Sequence, residues 1–221
     1  GSGYKGSVLI PQLLEDGHKV ISVDTNWFGE NLKDHPRLIK IKEDIRNIDS
    51  IPMDGIDSII HLANIANDPA VELTPNLSWE VNVLASYQIA DKAFRNGVKQ
   101  IIYASSGSVY GIKDELRVTE DLPLVPISVY NKTKMVAERV FLSFKDKIDI
   151  KCVRPATVCG FSPRMRLDVS VNMLTYQALK NGKITVFGGN QTRPNIHIKD
   201  MVNVYRHFLI NENIPSGCFN A

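Results

Sequence analysis

A doubly wound α/β fold, a parallel sheet with helices on both faces, is the architecture this sequence predicts, on three observations. Strand-length apolar runs alternate with helix-length amphipathic segments, the pattern of crossover connections and a parallel sheet. The chain opens on GSGYKGSVLI, where Gly1, Gly3 and Gly6 give G-x-G-x-x-G ahead of a helical pattern. An acid, Asp24, closes the next apolar run, at about the 20-residue spacing a dinucleotide ribose needs.

The elements follow in order. Ser7 to Asp16 reads as a helix with Val8, Leu9, Leu13 and Leu14 apolar, stopped by Gly17, and Val20 to Asp24 reads as a strand. A glycine turn feeding a helix lets backbone approach a pyrophosphate while the helix N-terminus faces its charge. The strand that should precede this turn is not in the sequence and no initiator Met is present, so the chain reads as an internal fragment. Leu38 to Lys42 and Ser58 to Leu62 are the next strands, separated by a Pro/Gly-punctuated stretch at Ile51 to Gly55. Pro75 starts a helix running to about Asn96, Gln100 to Ser105 is a buried strand, Val129 to about Lys145 a helix, and Asp149 to Arg154 a strand. Beyond Pro155 the texture changes to polar loops at Ser162 to Asp168, a helix from Val169 to Asn181, a strand at Lys183 to Phe187 and a helix from Lys199 to Ile210. The division expected is residues 1–155 for cofactor binding and 156–221 for part of a substrate region, interleaved with the last sheet elements.

With 43% apolar and 23% charged residues and a formal charge of +2, the composition excludes a disordered or collagenous chain. No apolar run reaches the ~20 residues of a membrane span, and the basic residues are scattered, which argues against membrane and nucleic-acid partners. Cys152, Cys159 and Cys218 form no C-x-x-C pair, so a reducing cytoplasm is inferred and no metal site is expected.

The stretch carrying chemistry is IIYASSGSVYG followed by VYNKTKMVAE. Tyr130 and Lys134, four apart on a helix, share one face, and Ser106 lies just past the C-terminal end of a strand, the edge where doubly wound sheets place ligands. Together they make a proton-transfer set. A tyrosine is a poor base at its ordinary pKa of ~10, and a neighbouring ammonium is expected to bring it down.

On these residues the chain resembles the extended short-chain dehydrogenase/reductase family, a Rossmann family, in its NAD-dependent nucleotide-sugar epimerase and dehydratase branch. The resemblance, which runs from Gly1 to Ala221, implies NAD as cofactor and a nucleotide-diphosphate sugar as substrate. It makes Gly3 and Gly6 the second and third glycines of the family turn, with Gly1 an extra, and puts the backbone of Tyr4 and Lys5 on the pyrophosphate. Lys5 stands where an Ile is usual. Asp24 in VISVDTN matches the ribose acid, with Thr25 and Asn26 beside it, and its charge favours NAD over NADP. Asp44 and Ile45 match the adenine-edge pair. HLANIA gives Leu62, Ala63 and Asn64 as the strand end lining the cofactor, Asn64 replacing a small residue. Asn82 matches a helix Asn that orients a water or backbone near the lysine. Pro155 would lie by the nicotinamide, Thr157 takes a place often held by Asn, Asn172 matches a diphosphate-contacting Asn, and Arg193 a diphosphate-binding Arg. The resemblance also implies a homodimer through the helices carrying Asn82 and Tyr130.

Among the chemistries of that branch, dehydratases carry an acidic pair where this chain has Gly107 and Ser108, and neither moves a proton as a carboxylate does. Epimerisation, typically at C4, is the remaining expectation. A dehydrogenase or reductase with the same residues is the alternative, and a non-catalytic NAD-binding regulator a more distant one.

Overall fold

The computed structural model describes residues 1–66 and 68–221. Helix α1 (Gly6–Glu15) follows the glycine turn and leads to strands β1 (Val20–Asp24), β2 (Leu38–Lys42) and β3 (Ser58–His61). Helices α2 (Asp68–Leu73) and α3 (Pro75–Trp79) come next, and a π-wound turn (Glu80–Leu84) joins α3 to α4 (Ala85–Arg95). Then come β4 (Gln100–Ala104), a 3-10 turn (Gly107–Tyr110), α5 (Val129–Leu142) and β5 (Asp149–Arg154). The chain finishes with β6 (Thr157–Cys159), α6 (Ser170–Asn181), β7 (Asn195–His197), α7 (Ile198–Ile210) and β8 (Gly217–Asn220).

All strand pairs are parallel, as buried crossover topology requires: β1 with β2, a four-stranded sheet in the order β3-β4-β5-β8, and a short β6-β7 pair. Side-chain alternation along β4 divides the core. Ile101 and Tyr103 join α4 and α5 on one face, and Ile102 and Ala104 join Leu9 and Leu13 of α1 and Met201 and Tyr205 of α7 on the other. The segment after Pro155 therefore returns α7 and β8 to the main sheet.

Between β1 and β3 the sheet is interrupted by a cavity of about 1240 Å³, lined by Val20 to Val23 on one side and Ser58 to Leu62 on the other, with Gly1 at its edge. The strands on either side of it, β1 and β3, share no ladder.

Several expectations need correction. Residues 183–187, expected as a strand, are irregular, and Ile184, Val186 and Phe187 are exposed. An apolar run without a neighbouring edge has nothing to pair with. Short strands form instead at β6, β7 and β8, and the helix expected from Pro75 to Asn96 contains the π-wound turn.

Candidate active site

The glycine turn is built by close backbone approach. A Cβ on Gly6 would lie 1.7 Å from the Gly1 carbonyl oxygen, and one on Gly1 would lie 1.8 Å from Ser22 Oγ on β1. Gly1, expected as an extra, is thus fixed by packing. A Cβ on Gly3 meets nothing within 4 Å, and no side chain caps α1, so the turn offers open backbone at a helix N-terminus. The turn is tied to the later half of the chain: Tyr4 Oη donates to the Gly160 carbonyl at 2.8 Å, and Ser162 Oγ donates to the Tyr4 carbonyl at 2.7 Å.

Asp24 closes β1 beside the turn, accepting N–H bonds from Ser2 (2.9 Å) and Asn26 (2.8 Å) and one from the Gly1 ammonium (2.8 Å). Burial opposes its charge, while the Asn26 and Ser2 N–H groups favour the ionised carboxylate. Asn26 takes a left-handed turn at φ 56° and accepts from Ser2 Oγ at 2.7 Å, with Thr25 half-buried between. Asp44 is paired with Arg46 at 2.9 Å and Ile45 is buried beside it.

At the C-terminal ends of β3 and β4 the proposed chemistry converges. Ser106 and Asn64 act on the Tyr130 hydroxyl from this edge, both favouring its ionised form. Ser106 Oγ also lies 2.7 Å from Ser108 Oγ, which donates to Asn131 Oδ1 at 2.6 Å, a relay that sequence reasoning missed. Lys134, only 3% exposed, donates from Nζ to the Ala104 carbonyl at 2.7 Å, and this Nζ sits 4.9 Å from the Tyr103 ring centroid. Its pKa is pushed well down by burial, then by the Lys5 charge, with Glu138 opposing. Tyr130 departs from expectation: burial raises it above its ordinary value, and the charge that most opposes this rise is that of Arg166, not Lys134. A lysine committed to a carbonyl under the sheet end does little for a neighbouring phenol.

Asn82 clamps the segment after β3 by accepting from the Ile65 N–H at 2.8 Å and donating to its carbonyl at 3.2 Å, and it reaches Thr133 Oγ1 at 3.1 Å. Leu62 and Ala63 border the cavity beside β3. Pro155 accepts from the Gly107 N–H at 2.9 Å, which brings the β5 end against the turn after Ser106. Thr157 opens β6, half-buried. Asn172 is fully engaged within the protein, accepting from the Gly160 N–H and donating to Tyr4 Oη and the Arg166 carbonyl. Arg193 is exposed on the segment before β7.

Two further groups carried little sequence signal. Glu138 accepts from Arg154 through both its oxygens (2.9 and 2.8 Å) and from Ser105 Oγ at 2.5 Å. Its place one turn beyond Lys134, on the face shared with Tyr130, was the available clue. Lys5 reaches Tyr205 Oη at 3.1 Å, a pairing across 200 residues with no local pattern behind it.

The residues fit a dinucleotide. Gly3 presents open backbone with nothing within 4 Å of where a Cβ would stand, Asp24 ends β1 beside it, and Asn64 Oδ1 is a buried acceptor with no protein partner among the described residues. Fold and site together define a Rossmann-type dinucleotide-binding architecture.

The chain belongs to the NAD dependent epimerase/dehydratase family, whose model matches residues 1–220. It is 29% identical to a UDP-glucose 4-epimerase of Lactobacillus helveticus, over 92% of this chain and 66% of that protein. It is 31% identical to a UDP-glucose 4-epimerase of Mycolicibacterium smegmatis, over 92% and 69% respectively. Across the curated relatives it matches, the chain spans 51–69% of their length. Similar solved structures include MoeE5 in complex with UDP-glucuronic acid and NAD, with a TM-score of 0.86 and 28% identity over 99% of this chain and 73% of that one. Another is a UDP-glucuronic acid 4-epimerase from Bacillus cereus in complex with UDP-glucuronic acid and NAD, with a TM-score of 0.84 and 27% identity over 99% and 74%.

Proposed function

We propose that the protein is an NAD-dependent epimerase of a nucleotide-activated sugar, inverting a hydroxyl-bearing carbon, C4 of the hexose. The observation that carries this is the meeting of Ser106 and Asn64 on Tyr130, with Lys134 one helical turn on, at the C-terminal ends of β3 and β4. NAD, when bound, accepts a hydride from the sugar carbon and returns it. Tyr130 takes the sugar hydroxyl proton and gives it back, and Ser106 hydrogen-bonds the reacting oxygen. Lys134 holds the nicotinamide ribose, Asp24 the adenosine ribose, and the Gly3 to Gly6 backbone the pyrophosphate. Thr157 and Arg193 serve the nucleotide-sugar side, and Asn172, bonded to Gly160 and the Arg166 carbonyl, positions the loop that carries Arg166. Gly107 and Ser108 supply no carboxylate beside Ser106, which favours epimerisation over dehydration.

A homodimer and a cytoplasmic location belong to the same reading. Trp79, Leu84 and Tyr87 are exposed along α3 and α4, a surface suited to a second copy, and the three cysteines are free thiols. The test is to incubate the intact protein with UDP-, GDP- and dTDP-sugars and resolve products by NMR. An epimer pair without matching NADH is expected, whereas NADH accumulating in step with product would make it a dehydrogenase. Tyr130→Phe is expected to lose about 10²–10⁴-fold in turnover with cofactor affinity nearly intact, and Lys134→Ala to lose both.

A further inference from the structure

We propose that Lys5 is a charge-tuning residue of the cofactor site: its ammonium approaches the C-terminal end of β4 from the sheet face opposite Lys134 and disfavours a positively charged nicotinamide ring relative to the neutral, reduced one. The inference rests on the reading of this site as a nicotinamide-dinucleotide site.

Lys5 is the residue from which α1 starts, inside the glycine turn. Its Nζ donates to Tyr205 Oη at 3.1 Å and lies 5.7 Å from that ring's centroid. Tyr205, fully buried on α7, packs in the same cluster as Ile102, Ala104 and Val153, the face covered by α1 and α7. The Ala104 carbonyl in turn accepts Lys134 Nζ at 2.7 Å, and Lys134 belongs to α5 on the other face. Two lysine side chains thus approach one strand end from opposite faces, close enough for the Lys5 charge to act on Lys134, at the edge where a doubly wound sheet holds its ligand.

Among the described residues no acid pairs with Lys5. Its hydrogen-bond partner is a phenol that burial keeps protonated, and an ammonium has three donors. The basic groups that act with it are Arg166, from the loop before α6, and Lys134. Burial first, then Arg166, brings Lys5 down to about 8, so it remains mostly charged at neutral pH and loses its charge just above. The family's usual Ile at this place carries no charge. Attraction to a pyrophosphate is common to the oxidised and reduced cofactor and cancels in their affinity ratio. Repulsion of the ring charge does not cancel, and by linkage it raises the potential of the bound cofactor.

The experiment measures Kd for NAD⁺ and for NADH on the intact protein and on Lys5→Met and Lys5→Arg, and compares the ratio Kd(NAD⁺)/Kd(NADH). At about pH 7 the wild-type ratio is expected to exceed that of Lys5→Met by about fivefold or more, with Lys5→Arg like wild type. Raising the pH to about 9.5 should bring the wild-type ratio toward that of Lys5→Met and leave Lys5→Arg high. Equal ratios in wild type and Lys5→Met overturn the proposal while the cofactor reading stands. Should Lys5→Met fail to fold, a wild-type ratio that stays flat across this pH range overturns it equally. Failure of wild type to bind either form sinks the cofactor reading, and the proposal with it.

Discussion

Tyr130 holds its proton more tightly in the folded chain than in water, because burial outweighs the Arg166 charge and the influence of Ser106 and Asn64. Its proposed use as a base therefore depends on positive charge arriving with the cofactor, and kcat/KM should rise toward alkaline pH. His61 shows the same desolvation with the opposite charge type. Burial, with the Lys134 and Gly1 charges adding to it, drops His61 from 6.5 to about 3, so it is neutral at any working pH. It cannot serve as the proton carrier there. The unfolded chain binds a proton on this histidine below pH 6.5 that the folded chain refuses until about 3, so the contribution to stability is complete above 6.5 and lost as pH falls through that window. The expected slope is about 1.4 kcal/mol per pH unit. Urea melts of wild type and His61→Gln over the window check it: a wild-type slope no steeper than the variant's would show that His61 is not the source.

At the scale of elements, α5 is the part that organises the site. Tyr130, Lys134 and Glu138 lie along one face at successive turns, so the helix that carries the proposed base also carries the carboxylate that anchors it. Glu138 (1% exposed) joins Arg154 (4% exposed) at the end of β5 and Ser105 at the end of β4, and Arg154 extends the network to Tyr110 Oη at 2.8 Å. Both strand ends are thereby held against α5. Removing one partner strands the other charge in the core, so Glu138→Ala should cost about 3–5 kcal/mol, measured as a shift in the urea midpoint at constant m. A loss under about 1 kcal/mol would mean that the pair is hydrated and not structural. Legibility also divides at this scale. The five-residue strands β1, β2 and β4 and the helices α1, α5 and α7 were readable because each is long enough to show its period. β6, β7 and β8, three or four residues each, exist only through the neighbour they pair with, and the apolar run 183–187 has no such neighbour. At the site, Ser106, Tyr130 and Lys134 were legible from spacing on one face and one strand end, whereas Arg154, Tyr205 and Arg166 reach it by tertiary approach that no local pattern records.

For the whole molecule, the decisive feature is the cavity of about 1240 Å³ between β1 and β3. The sheet expected from the sequence places a central strand there, and the structure keeps the two flanking strands apart with their facing edges unpaired. Val20, Ile21, Val23, Ile59 and Ile60 line the gap, so the walls are mostly apolar. A void of this size leaves those side chains without contacts, and water within it gives them no compensation. Residues 1–221 alone are therefore expected to melt broadly and to bind ANS, because α1, β1 and β2 connect to the four-stranded sheet mainly through α7 and the Tyr4 and Ser162 contacts. An apolar, β-branched segment of about five residues fused ahead of Gly1 would enter the gap directly and pair in parallel with both β1 and β3, since Gly1 borders the cavity. Calorimetry should then show one sharp transition with ANS binding lost, and the same segment with alternate residues changed to Asp should restore neither. A sharp, ANS-silent transition for residues 1–221 unaided would refute this account of the sheet.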